Sequence, residues 1–320
     1  MKMVTGGLCV LLLALTTHGH ALTSALSCES LSSLALPNTS ITLAQVVPAG
    51  PFALPGTGSV TPQFSQLRTF CRVAATLTPS SDSDIRIEVW LPIADWNGNF
   101  EAVGNAGWAG TISYDWLASA LQESYATAST DTGHADANAS FAIGHPEKII
   151  DFAYRAVHEM AVKSKAIIAK FYGRAPRFSY FTGCSTGGRQ GLMEAQRYPE
   201  DFDGIIVGAP ANDQTHLSAW RIAVAAKILQ SPASVVPPAK LALLNRAVLA
   251  ACDAIDGVTD GLLTDPRQCQ FDPATLLCRD ADRDDCLTAK QIEAVKMAYT
   301  SASRTTGELI FPPQRQKSVG

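Results

Sequence analysis

The residues best suited to covalent chemistry lie in the run Gly183-Cys184-Ser185-Thr186-Gly187. A serine flanked by glycines at this spacing is the pattern of a nucleophile on a sharp strand-to-helix turn. There the hydroxyl stands exposed and backbone amides are free to hold an oxyanion. The chemistry would be acyl transfer through an acyl-serine. Residue frequencies alone produce Gly-x-Ser-x-Gly in roughly one chain in ten of this length, so the setting decides. Residues 178–182 read as a strand, and residues 191–198 as a helix stopped by Pro199. An earlier strand, residues 100–103, runs into Gly104-Asn105-Ala106-Gly107. That loop is placed to give a second oxyanion amide, with the amide of Thr186 as the first.

Such a serine needs a base and an orienting acid, which in this arrangement follow it as Asp or Glu and then His. Of the six histidines, His18 and His20 fall in the N-terminal segment, and His134, His145 and His158 precede Ser185. Only His216 follows, just past the next strand, with no room for the intervening strands and acid. His134 and His158 read as structural.

The elements around the serine alternate. Residues 85–91 set Ile85, Ile87 and Val89 against Arg86 and Glu88, an alternation that signals a strand. Residues 125–130 form another strand. Residues 147–171 carry apolar side chains at helical spacing, and Gly173 is placed to end that helix. Residues 205–207 are a short apolar strand of the buried parallel kind. This is the α/β pattern. Residues 26–75 read as a Ser-, Thr-, Pro- and Gly-rich arm. After Asn212-Asp213 the alternation stops. Helices are expected at residues 219–230, 238–251 and 288–299 around a cysteine-rich loop region.

Composition bounds the rest. Charged residues make up 17% and the net charge is −4, which gives neither a nucleic-acid surface nor a polybasic membrane patch. Lys2, the apolar run of residues 8–15 and the small residues Gly19 and Ala21 read as a signal peptide cleaved after Ala21, with Thr23 and Ala25 also suitable. A buried N-terminal helix is the alternative. No other stretch reads as a membrane span. Export suits the cysteines, which pair in oxidising compartments. Loss of Cys9 with the signal leaves an odd number, so one lacks a partner in the chain.

A second cluster lies at residues 252–263, where Asp253, Asp256 and Asp260 surround two Asp-Gly pairs. On its own this reads as two turns. Carboxylates and carbonyls on a tight loop also suit a hard cation such as calcium, although the spacing is not that of an EF-hand.

The run from Phe181 through Gly191, followed by Tyr198-Pro199-Glu200-Asp201-Phe202-Asp203-Gly204-Ile205, closely resembles the tannase and feruloyl esterase family. Trp96-Asn97-Gly98, Gly104 through Gly110, Asp131-Thr132-Gly133-His134 and Gly208-Ala209-Pro210-Ala211 extend the resemblance. It implies an α/β-hydrolase core with a calcium-binding lid insertion. The implied activity is a secreted, extracellular or periplasmic serine esterase acting on small aromatic-acid esters, feruloyl or galloyl. Ser185 matches the acylated serine, and Thr186 and Gly107 match the oxyanion amides. Asp253, Asp256 and Asp260 match the side-chain calcium ligands, and Val258 and Leu262 the carbonyl ligands. The implied disulfides are Cys28–Cys71, Cys252–Cys269 and Cys278–Cys286, which leave Cys184 alone. In the family the cysteine at that position is tethered to one beside the catalytic histidine.

The expected organisation is residues 1–21 as signal, 22–212 as the hydrolase core and 213–320 as a partial lid. The family's acid and its His-Cys pair lie past the lid. The chain as written is therefore expected to lack the last core strands and both catalytic partners, and to have little or no activity. A non-catalytic secreted binding domain, or a truncated remnant of an esterase, is the competing expectation.

Overall fold

Apolar alternation along the first half of the chain builds a sheet, and one-sided helices cover its faces. The computed structural model describes residues 25–108, 110–299, 302–303 and 306–311. The expected signal peptide lies outside the described residues. The chain falls into two units that divide between Asn212 and Asp213.

In the first unit the strands are β1 (Thr39–Val47), β2 (Phe70–Leu77), β3 (Ile85–Pro92) and β4 (Phe100–Val103). They are followed by β5 (Ala126–Thr130), β6 (Ser179–Cys184) and β7 (Gly204–Gly208). Their order in the sheet is β1-β2-β3-β5-β4-β6-β7. The pairs from β1 through β3 to β5 are antiparallel, and those from β5 through β4 and β6 to β7 are parallel. The helices are α1 (Tyr114–Gln122), α2 (Pro146–Ile150), α3 (Ala156–Tyr172) and α4 (Thr186–Arg197). This is a mixed sheet with helices on it, an α/β-hydrolase-like core.

Two apolar layers sandwich the sheet. On one face Val73, Ile87, Val89 and Phe181 pack with Val157, Met160, Ile167 and Ile168 of α3. On the other, Phe52, Phe64, Phe70 and Trp90 pack with Leu117 and Leu121 of α1. Gly173 ends α3 in a left-handed conformation, φ 70°. Cys28–Cys71 ties the N-terminal turn to β2.

Several expectations change here. The residues read as a Ser-, Thr-, Pro- and Gly-rich arm contain β1 and most of β2. The alternation along β3 puts Glu88 on the face opposite Ile87 and Val89, and that second face is covered too. Glu88 is buried and pairs with Arg72. It also accepts from Trp90 Nε1 at 2.9 Å and Tyr114 Oη at 3.0 Å. The single helix of residues 147–171 is interrupted by a π-helical turn at Asp151–Arg155, where buried Asp151 accepts from Arg155 Nε at 2.6 Å. β7 is parallel to β6, as expected of the short apolar strand at residues 205–207, and lies at the edge of the described sheet with Ile206 68% exposed.

The second unit contains α5 (Gln214–Ile228), α6 (Pro238–Cys252), α7 (Ala289–Ala298) and the strand pair β8 (Ala302–Ser303) and β9 (Leu309–Phe311). Thr288 and Gln291 form a capping box at the start of α7. A small core of Leu244, Val248, Leu287, Ile292 and Val295 closes around Cys252–Cys269, and Cys278–Cys286 pins the adjoining loop. By length and composition Pro232–Asp256, with mean hydropathy 1.3, is apolar enough to cross a membrane, which the sequence reading did not anticipate. It comprises a 3-10 turn, α6 and a second 3-10 turn, and Leu244 and Val248 of α6 face the small core.

Glu88→Ala leaves the Arg72 guanidinium, the Trp90 N–H and the Tyr114 hydroxyl without their acceptor. Urea unfolding should show a loss of about 3–5 kcal/mol, the range for breaking one side of a buried ion pair. An unchanged midpoint would contradict the network.

Candidate active site

β6 ends at Cys184 and α4 begins at Thr186, so Ser185 alone makes the turn, with φ 58° and ψ −114°. Positive φ is costly for a residue with a Cβ and persists only where neighbours hold it. Ser185 N donates to Gly208 O at 3.0 Å, and Ser185 O accepts from the amides of Arg189 and Ala211, each at 3.0 Å. The flanking glycines are required by space. A Cβ at Gly183 would stand 2.4 Å from Gly187 O. α4 starts five residues earlier than the sequence suggested, because Gly187 and Gly188 give its first turn a bare surface.

That bare surface receives the loop after β4. A Cβ at Gly104 would lie 2.6 Å from Gly187 Cα. Gly187 N donates to Asn105 O at 2.8 Å, and Thr186 Oγ1 donates to Gly107 O at 2.6 Å. Asn105 N donates to Gln190 Oε1 at 3.0 Å, and Gln190 Nε2 returns to Asn105 Oδ1 at 2.9 Å. Asn105 Nδ2 donates to the carbonyls of Thr130 and Thr111 at 2.7 and 2.8 Å. The structure thus brings Ser185, Thr186 and Gly107 together. The Thr186 amide is the first of a helix and has no acceptor one turn earlier. The helix dipole favours negative charge beside it. The Gly187 amide is already engaged. Sequence reasoning missed the Asn105–Gln190 clasp, since 85 residues separate its halves and no local signal joins them.

The segment Asp131–His134 braces the same loop from behind. Asp131 Oδ1 accepts from the amides of Arg86 and Gly133, both at 2.8 Å. His134 Nε2 lies 2.7 Å from Trp108 O, and its ring stacks on Phe141 at 3.8 Å. A Cβ at Gly110 would stand 2.0 Å from His134 O.

With this geometry established, comparison with known proteins places the chain. A sequence profile described as Tannase and feruloyl esterase matches residues 71–319. The chain belongs to this family. An uncharacterized esterase of Xanthomonas campestris is 44% identical over 312 residues, covering 95% of this chain and 53% of that protein. Probable feruloyl esterase B-1 of Aspergillus fumigatus is 38% identical over 247 residues, covering 76% of this chain and 46% of that protein. The crystal structure of feruloyl esterase B from Aspergillus oryzae superposes with a TM-score of 0.82 at 32% identity, covering 90% of this chain and 58% of that one. The chain spans about half the length of the curated relatives it matches.

Within this family frame, each described histidine has a polar partner of its own. His134 is held as above, and His145 Nδ1 faces Asp82 at 3.0 Å. His158 Nδ1 faces Asp201 at 2.6 Å, and His216 Nδ1 faces Asp213 at 3.0 Å. Among the described residues no hydrogen bond joins Ser185 Oγ to a histidine. Cys184, beside the serine, is free and exposed.

In the second unit the loop aspartates turn onto their own backbone. Asp253 accepts from Gly261 N at 3.1 Å, Asp256 from Val258 N at 3.0 Å, and Asp260 from Leu262 N at 3.0 Å. Thr264 Oγ1 donates to Asp256 at 2.6 Å and, with the Val258 amide, holds its carboxyl below the usual range. The donor set is all oxygen and rich in negative charge, which fits a hard cation. As they stand, the three carboxylates do not converge as a group of ligand atoms within 4.8 Å of one another.

Burial pushes the Asp131 carboxyl up from 3.8 to about 7, against the lowering effect of the Gly133 and Arg86 amides. The folded chain then keeps a proton that the unfolded chain releases, so this group's contribution to stability falls as pH rises from about 4 to about 7. Asp131→Asn keeps an acceptor for both amides and removes that dependence. Its urea midpoint relative to the parent should rise between pH 5 and pH 8. A difference that stays constant with pH would contradict the assignment.

Proposed function

We propose that this chain carries the nucleophile of a carboxylic ester hydrolase that acts on aromatic-acid esters of the feruloyl or galloyl type through an acyl-serine at Ser185. The observation that carries the reading is the Ser185 turn, held at positive φ with the residue 104–107 loop latched onto the helix it starts. In this reading Ser185 Oγ attacks the ester carbonyl. In the same reading the oxygen that gains charge is held by the amides of Thr186 and Gly107, a role supported by the Thr186 Oγ1 to Gly107 O hydrogen bond that keeps the two residues together. The alcohol leaves, and water releases the acid. The substrate class follows the names of the relatives, feruloyl esterase B among them. Disulfide bonding of six cysteines supports an extracellular or periplasmic setting.

The base is not among the described residues bonded to Ser185, so turnover by this chain alone is expected to be slow. Supplying imidazole as an external base makes the reaction measurable. Hydrolysis of methyl ferulate or methyl gallate above the blank should fall at least about tenfold in Ser185→Ala. Equal rates for parent and variant would remove Ser185 from the mechanism.

We further propose that Asp253, Asp256 and Asp260, with the carbonyls of Val258 and Leu262, hold a structural calcium ion. When bound, the ion would neutralise the carboxylates and cross-link a loop already closed by Cys252–Cys269. Calcium at about a hundred times its dissociation constant should add about 2.7 kcal/mol, seen as a rise of a few degrees in the Tm of the unit that contains the loop. Asp256→Asn should abolish the rise. A Tm indifferent to calcium in the parent chain would refute the site.

A further inference from the structure

A cluster outside the nucleophile turn has the chemistry of a different metal. His158 on α3, Glu194 on α4 and Asp201 just past α4 bring their ligand atoms within 4.8 Å of one another. Among the described residues this is the group of histidine, cysteine and acid side chains that converges so closely. Glu194 is fully buried, no nitrogen or hydroxyl donor reaches its carboxyl oxygens, and its carboxyl faces that of Asp201. A buried carboxylate in that state lacks compensation that such groups ordinarily find. Asp201 is 4% exposed, and its Oδ2 lies 2.6 Å from His158 Nδ1. Tyr198 stacks on the imidazole at 3.9 Å and fixes its plane. Lys165, the neighbouring cation, donates to the Asp201 backbone carbonyl rather than to a carboxylate of the cluster.

We infer that His158, Glu194 and Asp201 form a binding site for a divalent transition-metal ion of the zinc type. One imidazole nitrogen with two carboxylates is a mixed nitrogen and oxygen set, suited to zinc rather than to calcium or magnesium. The ion takes the place of the proton on His158 Nδ1 and of the proton held between the Glu194 and Asp201 carboxyls, and both pass to solvent. Ligand atoms around a tetrahedral zinc stand roughly 3.3 Å apart, so the His158–Asp201 pair opens slightly as the ion enters. The His158 side chain is 26% exposed, which gives an entry path and room for water as a further ligand. The bound ion would fasten α3 to the far end of the helix that Ser185 begins. The site is independent of the esterase reading, because none of its ligands belongs to the turn or to the aspartate loop.

The test uses the full chain with its disulfides intact, stripped of metal by a chelator, desalted and kept in calcium. Cys184→Ser is the background, so that the exposed thiol binds no zinc. Zinc chloride is titrated by calorimetry, and bound metal is counted by elemental analysis after gel filtration. One equivalent is expected, with a rise in Tm. Glu194→Gln and His158→Gln should each weaken that equivalent at least about a hundredfold, the upper end of what loss of a mere orienting partner costs. Circular dichroism checks each variant's fold. Should Glu194→Gln fail to fold, His158→Gln, altered at a partly exposed side chain, carries the comparison. Absence of zinc binding in the parent would overturn the inference and leave the two carboxyls sharing a proton. Zinc binding that survives either folded substitution would overturn it too.

Discussion

The backbone of residues 104–107 approaches the first turn of α4 so closely that a methyl group at Gly104 would stand 2.6 Å from Gly187 Cα. That approach determines the form of the site. It requires glycine on both sides, it holds Gly107 against Thr186, and it lets Asn105 and Gln190 exchange hydrogen bonds. Ser185 keeps its positive φ because the Gly208 carbonyl and the Arg189 and Ala211 amides fix its two peptide groups. Fixed dipoles of this kind stabilise developing charge without reorganising, which is where an acyl-transfer site gains most.

The rest of the first unit holds that approach in place. Parallel strands β4, β6 and β7 carry the loop and the serine to the same end of the sheet. The antiparallel strands extend the sheet and give it a second buried face, with Glu88, Arg72, Trp90 and Tyr114 as its polar centre. His134 and Gly110 meet behind the loop, so it is supported from two directions. A site assembled from peptide groups needs this backing, because backbone donors are only as well placed as the strands that carry them.

Much of this was legible in the sequence. The glycine spacing around Ser185 reports a crowded turn, and Gly173 ends a helix where a left-handed residue is needed. The resemblance to a known family supplied the three disulfide pairings that the structure contains. Other features were not legible, for physical reasons. Glycines argue against a helix, so the early start of α4 was hidden until the loop that needs them was in place. The burial of Glu88 was hidden because alternation does not reveal that both faces of a strand are covered. The Asn105–Gln190 clasp and the cluster of His158, Glu194 and Asp201 join residues far apart in the chain, and no local pattern signals such meetings.

The most direct test is to incubate the chain with 4-nitrophenyl ferulate, whose leaving group needs little protonation, and to map the acyl adduct by peptide mass spectrometry. The account predicts a feruloyl group on Ser185, absent in Ser185→Ala, and formed more slowly in Gly104→Ala, where the residue 104–107 loop is pushed off α4. An adduct on another residue, or the same acylation rate in Gly104→Ala, would contradict it.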